Sequence, residues 1–311
     1  MSDALQPPAV TVTYEPDSAW PERLRAILTA CPRCIVVDNS LTPAARVFVE
    51  DTVRSSPGAE LIANPDNPGI GRALNQAFAA LHSAGHPWAL AFDQDSVPPP
   101  DLAAHLLATA RSAPAPVAVV GANWRDAARP ARPARHPVAT PAFALSFRRV
   151  PAVADLPDVL CVINSGSLFS LNAWQRLKGF DESLFLDLVD TDFCLRARRA
   201  GWRVAVSANA DLTHHRGTKK PIRFLSRVFH PAFTPPFRLH CLSLNRVRLF
   251  TRHGAREPAW VCYELAYALK LTADILFLED KKLTKLAACV QGTLNALTEQ
   301  FPTCMTPPHV L

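Results

Sequence analysis

The 311-residue chain has little glycine, 11 residues, and no GxGxxG run, so a dinucleotide-binding loop is not supported. Its 29 prolines follow no period, which excludes collagen-like structure, and no repeat falls in the solenoid or propeller range. Met1 to Val10 lacks the basic start and apolar run of a secretory signal. No apolar stretch is long enough to span a bilayer. The nearest, Trp260 to Leu278, is interrupted by Glu264, Lys270 and Asp274. Eight cysteines are scattered along the chain, and Cys31-Pro-Arg-Cys34 has no second ligand pair that would make a zinc site. That CxxC stands before a strand pattern instead of opening a helix after one, which argues against a redox pair. Without an export signal, the thiols are expected free in a reducing cytoplasm.

What the chain does have is a core. Hydrophobic residues make up 49% and charged residues 19%, a balance that excludes global disorder. The length suits one large domain or two small ones. Charge is unevenly spread. The formal net charge is +6, yet residues 1–100 carry 6 basic against 11 acidic residues, and residues 196–256 carry 14 basic against 1 acidic. A segment that positive calls for an anion: a diphosphate, an anionic lipid surface or nucleic acid.

The first half alternates strand and helix patterns. Strands are predicted at Val10–Tyr14, Cys34–Asp38, Ala59–Ala63, Trp88–Phe92 and Val117–Val120, with helices at Trp20–Ala30, Gly69–Ser83 and Leu102–Arg111. Such strands, apolar on both faces and separated by helices, argue for a mostly parallel α/β sheet. Residues 127–157, rich in Pro, Ala and Arg, read as a long irregular excursion. Order is expected to resume at Leu160–Asn164, followed by a helix over Asp190–Ala200 and short strands at Arg203–Val206 and Asp211–Thr213. The last third reads as helices at about Arg238–His253, Trp260–Leu278 and Lys282–Gln300.

Functional groups in such sheets gather at the carboxyl ends of the strands. Three predicted strands end in polar clusters: Thr13-Tyr14-Glu15-Pro16, Asp38-Asn39-Ser40 and Asp93-Gln94-Asp95-Ser96. Any one cluster reads as ordinary turn residues; three together favour a site. Asp93 and Asp95 put two carboxylates on alternate positions just past a strand, a pattern that suits a hard divalent cation and its bridged phosphates. Asp187, Asp190 and Asp192 fall within six residues before a helix. Carboxylates there cap the helix and meet its dipole, and one fixed in that way is also well placed as a general base. His214 follows a short strand as a candidate metal ligand. Asn164-Ser165-Gly166-Ser167 offers backbone N–H groups and hydroxyls at a tight turn, and Arg72 opens a helix after Asn67-Pro-Gly-Ile-Gly71, where phosphate would bind.

Taken in order, Thr13-Tyr14-x-Pro16, Val37-Asp38-Asn39-Ser40, Asn67-x-Gly69-Ile-Gly-x-Ala-x-Asn75, Asp93-Gln-Asp-Ser96, Asn164-Ser-Gly-Ser167, Gly179-Phe-Asp181-Glu182, Phe185-x-Asp187-x-Val-Asp190, Cys194-Leu-Arg196 and His214-x-x-Gly217 resemble the family 2 glycosyltransferases of GT-A fold, within them the bacterial rhamnosyltransferases. The resemblance covers about residues 9–300, and the tail resembles the subgroup that adds the second rhamnose of rhamnolipids. It implies a Rossmann-like mixed sheet over residues 1–236, with a donor half at about 9–125 and an acceptor half at about 126–236. A helical extension follows at 237–311. It implies inverting transfer from dTDP-L-rhamnose to a glycolipid or lipid-linked saccharide, with mono-rhamnolipid as one candidate acceptor. Thr13, Tyr14, Asp38, Asn67, Arg72, Asn75, Asp93, Gln94 and Asp95 would then meet the donor. Asp93, Asp95 and His214 would hold Mg2+ or Mn2+, and Asp190 would be the base. Asn164, Ser165, Gly166, Asp187 and Asp192 would touch acceptor or sugar. The chain departs from the family at Lys178-Gly179-Phe180, where Gly-Gly-Phe is frequent, and at Leu244-Asn245, where an Arg-Asn pair is frequent.

Two other classes stay open: a non-catalytic sugar-nucleotide binder on the same fold, and a nucleic-acid binder. Retention of Asp190, Asp93, Asp95 and His214 weighs against the first, and the basic segment's lack of interleaved aromatics weighs against the second. The C-terminal helices place Trp260, Leu265, Leu269, Leu276, Phe277 and Leu278 near Lys281, Lys282 and Lys285, which fits peripheral contact with the inner membrane. The same apolar face equally fits packing on the catalytic domain or on another subunit of a homo-oligomer.

Overall fold

The structure is a computed structural model. It describes residues 6–126, 134–140, 145–214, 222–224, 227–229, 231 and 233–298; the side chains of Asp126, His214, Phe224 and Arg227 lie outside that description. The chain divides into two compact units. The first comprises Met1–Val138, Arg149–Phe185 and Val189–His214, and the second Ala139–Arg148, Leu186–Leu188 and His215–Leu311.

The first unit is built on a seven-stranded sheet. Its strands are β1 (Ala9–Thr13), β2 (Cys34–Asp38), β3 (Ala59–Ala63), β4 (Trp88–Asp93), β5 (Val117–Asp126), β8 (Ser167–Ser170) and β9 (Arg203–His214), in spatial order β3-β2-β1-β4-β8-β5-β9. β3, β2, β1 and β4 run parallel, and β8 lies antiparallel between β4 and β5. β1 and β2 are buried along their whole length, as their unbroken apolar runs require. The sheet is covered by α1 (Trp20–Ala30), α2 (Pro43–Arg54), α3 (Ile70–Ser83), α4 (Leu102–Ser112), α5 (Leu171–Arg176) and α6 (Val189–Arg199). α1 buries Trp20, Leu24, Ile27 and Ala30, the three-to-four spacing of one helix face. Below α3, Phe78, Phe169, Phe180 and Phe193 pack with ring centroids 5.1 to 5.5 Å apart.

Several expectations are corrected. Residues 43–54 form α2, which the pattern did not announce because Val47, Val49 and Val53 blur the helical spacing; Pro43 at its first turn and a Thr42 cap on Ala45 N start it. The two short strands expected at 203–213 are one strand, with irregular register against β5 absorbing its interruption. The excursion at 127–157 holds two short strands, β6 (Arg135–Ala139) and β7 (Phe147–Pro151). Leu160–Asn164 is an irregular approach to a turn, and the strand begins at Ser167.

In the second unit, α7 (Pro236–His253), α8 (Pro258–Phe277) and α9 (Lys282–Leu297) follow two three-residue strands, β10 (Ile222–Phe224) and β11 (Arg227–Phe229). Leu239 and Leu242 of α7 meet Leu271 and Ile275 of α8. Arg246 pairs with buried Glu264 at 3.0 Å, and Phe250 packs on Trp260 at 5.4 Å. α9 comes so close to α7 that a Cβ on Gly292 would stand 2.3 Å from the His240 carbonyl oxygen. Among the described residues no helix is long and apolar enough to cross a membrane.

Candidate active site

β1 is the strand from which the chain winds outward both ways, with β2 on one side and β4 on the other. Ligands of open α/β sheets bind at such a switch point, beyond the carboxyl ends. The register levels those ends: Thr13 stands opposite Asp38, and Val12 opposite Asp93.

The loops beyond β1 and β2 are bonded to each other. Asp38 Oδ1 accepts from Thr13 Oγ1 at 2.8 Å, from Ser40 Oγ at 2.7 Å and from Ser40 N at 3.2 Å. Glu15, at φ 45°, turns the chain so that its carboxylate accepts from Leu41 N, Thr42 N and Thr42 Oγ1, while its own N–H donates to Ser40 Oγ. Across the switch point, Tyr14 N donates to Gln94 Oε1 at 2.8 Å and Gln94 Nε2 returns to Tyr14 O at 3.3 Å. Burial, with Glu15 adding to it, raises the Tyr14 phenol above its ordinary range. Three amides, Asn39, Asn64 and Gln76, continue the network toward Asn67, whose Oδ1 accepts from Gly69 N at 3.1 Å. Gly69, at φ 87°, caps α3; a Cβ there would stand 2.6 Å from Phe185 O. Arg72, one turn on, is exposed and has no hydrogen-bond or ion-pair partner among the described residues.

Beyond β4, a turn at 164–166 reaches two carboxylates. Asn164 Nδ2 donates to Asp93 Oδ1 at 3.3 Å, and Asn164 N donates to Asp190 Oδ2 at 3.0 Å. Ser165 accepts from Asp93 N and bonds the hydroxyl of Ser96. Gly166, at φ 72°, permits the turn, since a Cβ would stand 2.5 Å from Leu212 Cδ2. Thr191 N also donates to Asp190, at 2.7 Å, so two backbone amides orient that carboxylate at the start of α6. Two acceptors here, Asp95 Oδ1 and Asn164 Oδ1, are buried with no hydrogen-bond partner among the described residues.

The first unit thus brings Thr13, Tyr14, Asp38, Asn67, Asp93, Gln94, Asp95, Asn164, Ser165, Gly166 and Asp190 into linked loops. Asn75 is engaged differently: its amide bonds Trp174 Nε1, Phe180 N, Phe180 O and Glu182, tying α3 to the 174–182 segment. Asp192 is buried on Arg196 at 2.6 Å, and that guanidinium also caps Leu177 O and Gly179 O. Asp187 belongs to the second unit, where Arg238 holds it through two nitrogens and Asn245 caps its carbonyl. The His214 side chain lies outside the described residues, among which no three His, Cys, Asp or Glu groups gather as a metal cluster. At Lys178, where the sequence resemblance implies glycine, the lysine itself adopts φ 61°. The CxxC thiols are buried, and burial pushes Cys31 up to about 12, which suits structure and not redox chemistry. Sequence reasoning missed the structural work of Glu15, Asn64 and Gln76; for Glu15 and Asn64 the only signal was a polar residue just past a strand, and Gln76, inside α3, gave none.

The sheet order, with antiparallel β8 between β4 and β5, is that of a GT-A-type fold. The chain belongs to the family described as glycosyltransferase like family 2, whose model matches residues 9–228. No curated protein sequence matches it. Among solved structures, S. aureus TarS 1-349 is similar at 14% identity and TM-score 0.54, over 94% of this chain and 80% of that one. TarS 1-349 in complex with UDP-GlcNAc is similar at 13% identity and TM-score 0.55, over 92% and 80%. GalNAc-T7 with UDP, GalNAc and Mn2+ is similar at 10% identity and TM-score 0.57, over 96% and 57%. At these identities the similarity is one of fold.

Proposed function

We propose that the protein is an inverting glycosyltransferase that moves L-rhamnose from dTDP-L-rhamnose to a glycolipid or lipid-linked saccharide, mono-rhamnolipid being one such acceptor. The observation that carries the reading is the turn at Asn164, which bonds both Asp93 and Asp190 beside the buried, unpartnered Asp95 Oδ1. Tyr14 and Asp38 take the pyrimidine nucleoside, and exposed Arg72 takes the diphosphate. Asp93 and Asp95 fit Mg2+ or Mn2+, because a hard cation seeks oxygen donors and a buried carboxylate oxygen with no partner is costly otherwise; His214 would complete the set. When bound, such a cation neutralises charge developing on the leaving diphosphate. Asp190 accepts the proton of the acceptor hydroxyl as that oxygen attacks the anomeric carbon and the sugar–phosphate bond breaks. One displacement inverts the centre, and no covalent intermediate is required.

The sugar rests on the sequence resemblance. The similar structure holding UDP-GlcNAc supports a nucleotide-sugar donor and keeps a UDP-sugar enzyme of O-antigen or cell-wall synthesis as the second reading. The enzyme would work in the cytoplasm at the inner face of the membrane that carries its acceptor. A thermal-shift panel with Mg2+ tests the reading, because a ligand of the native state raises Tm by mass action. A selective rise with dTDP-L-rhamnose is expected. A rise with only a UDP-sugar replaces the sugar, and no rise with any nucleotide sugar removes the transferase reading.

A further inference from the structure

α9 is apolar on two opposite faces. One face packs on α7 through Gly292, and buried Lys285 lies on the same side. The other carries Leu283, Ala287, Val290, Leu294 and Leu297 at spacings of four, three, four and three residues, its four large side chains 54 to 84% exposed. From Leu286 to Thr298 the helix has no charged residue. A helix apolar all round belongs in an interior. α8 adds Leu265, Leu269, Leu276 and Phe277, 42 to 72% exposed. Eight such side chains expose area on the order of the ~800 Å² per partner of a stable interface, above the roughly 300–600 Å² apolar patch of an ordinary monomer.

The exposed area and the charges choose the occupant. The three-to-four spacing gives a seam that another helix can meet, knob into hole. A lipid surface favours a helix with cations along its polar face. Here exposed cations stand only at the helix start, Lys281 and Lys282, and none lies from Leu286 to Thr298; Lys285 is buried between Glu279 at 2.8 Å and Asp280 at 3.0 Å, and Lys270 is paired with Asp274. We infer that α9 packs against α9 of a second copy, flanked by the α8 stripe, so that the chain is a homodimer with an isologous helical interface.

Sedimentation velocity on the full chain at micromolar concentration tests this. The expected mass is twice the 34.0 kDa of one chain. The double variant Val290→Gln, Leu294→Gln is expected to weaken the dimer by about 100-fold or more, with helix content and donor-induced thermal shift retained. Should that variant fail to fold, Leu294→Cys decides: oxidation is expected to cross-link it between copies above the wild-type background, while Ala104→Cys, exposed on α4, stays at that background. A wild-type chain of 34.0 kDa overturns the inference, as does a folded double variant that remains dimeric or an uncross-linked Leu294→Cys. A wild-type monomer that pellets with phosphatidylglycerol vesicles would assign the face to lipid instead.

Discussion

The two units expose opposite kinds of unfinished surface. At the strand ends of the first, side chains bond across from loop to loop, while exposed Arg72 and two buried acceptors, Asp95 Oδ1 and Asn164 Oδ1, have no hydrogen-bond partner among the described residues. On the second, ion pairs such as Arg246–Glu264 and Lys285–Glu279 are buried, each with one atom, Arg246 Nη2 and Glu279 Oε1, lacking a hydrogen-bond partner among the described residues, and what stays uncovered is a stripe of leucines with Val290 and Phe277. The difference teaches what each unit meets. Under the proposals above, a cluster of buried acceptor oxygens suits a cation and a polar donor, whereas an apolar helix face suits another helix.

The comparison breaks most sharply at Asp190. Asp190→Asn is expected to cut transfer by about 10²–10⁴-fold while leaving donor affinity within about twofold; stopped transfer and calorimetric binding on the same preparation check it. Loss of donor binding in the folded variant would remove the base assignment.

Acid should separate the units by sign. In the first, burial, with Arg149 adding to it, pushes His136 down to about 4. The unfolded imidazole titrates near 6.5, so the folded state binds fewer protons between those values and stability falls as pH drops through that window, by on the order of 3 kcal/mol. In the second, burial raises Glu264 despite the opposing pull of Arg246. Its folded form binds more protons just above the ordinary carboxylate range, so that contribution to stability grows as pH falls toward that range. Denaturant melts at pH 7 and pH 4.5 are expected to weaken the first unit selectively, and His136→Phe to flatten that dependence. A pH-independent first unit would contradict the burial of a neutral His136.

Gly292→Ala probes the close approach of α9 to α7. The added Cβ would meet the His240 carbonyl, and overpacking of about 1–3 kcal/mol outweighs the helix-propensity gain of about 1 kcal/mol. A lowered Tm with unchanged donor binding is expected; a raised Tm would mean that the contact yields freely. Smallest is Thr13→Val, which removes one hydrogen bond to Asp38, about 1 kcal/mol, read as a modest loss of donor affinity with α7–α9 unaffected.

Much of the first unit was legible in sequence because its signals are local. Cys34–Asp38 is one uninterrupted apolar run closed by a carboxylate, and the structure ends β2 at that carboxylate. Asn164-Ser-Gly reads as a turn, and Gly166 takes the positive φ that makes it one. What stayed hidden depends on distant partners. Asn75 reads as part of the motif that begins at Asn67, yet its hydrogen bonds run to residues about a hundred positions away. Lys285 reads as a surface cation beside Lys281 and Lys282 until Glu279 and Asp280 fold back on it. The helical run 43–54 was masked by β-branched residues, which fit strands as readily as helices.

The most direct test of the central claim is a calorimetric titration of dTDP-L-rhamnose, with Mn2+ and then with chelator, into wild type and Asp95→Ala. Binding that depends on the cation in wild type and is lost in the folded variant is the predicted result. Equal, cation-independent binding by both proteins would contradict the assignment of the β4 carboxylates to the donor site.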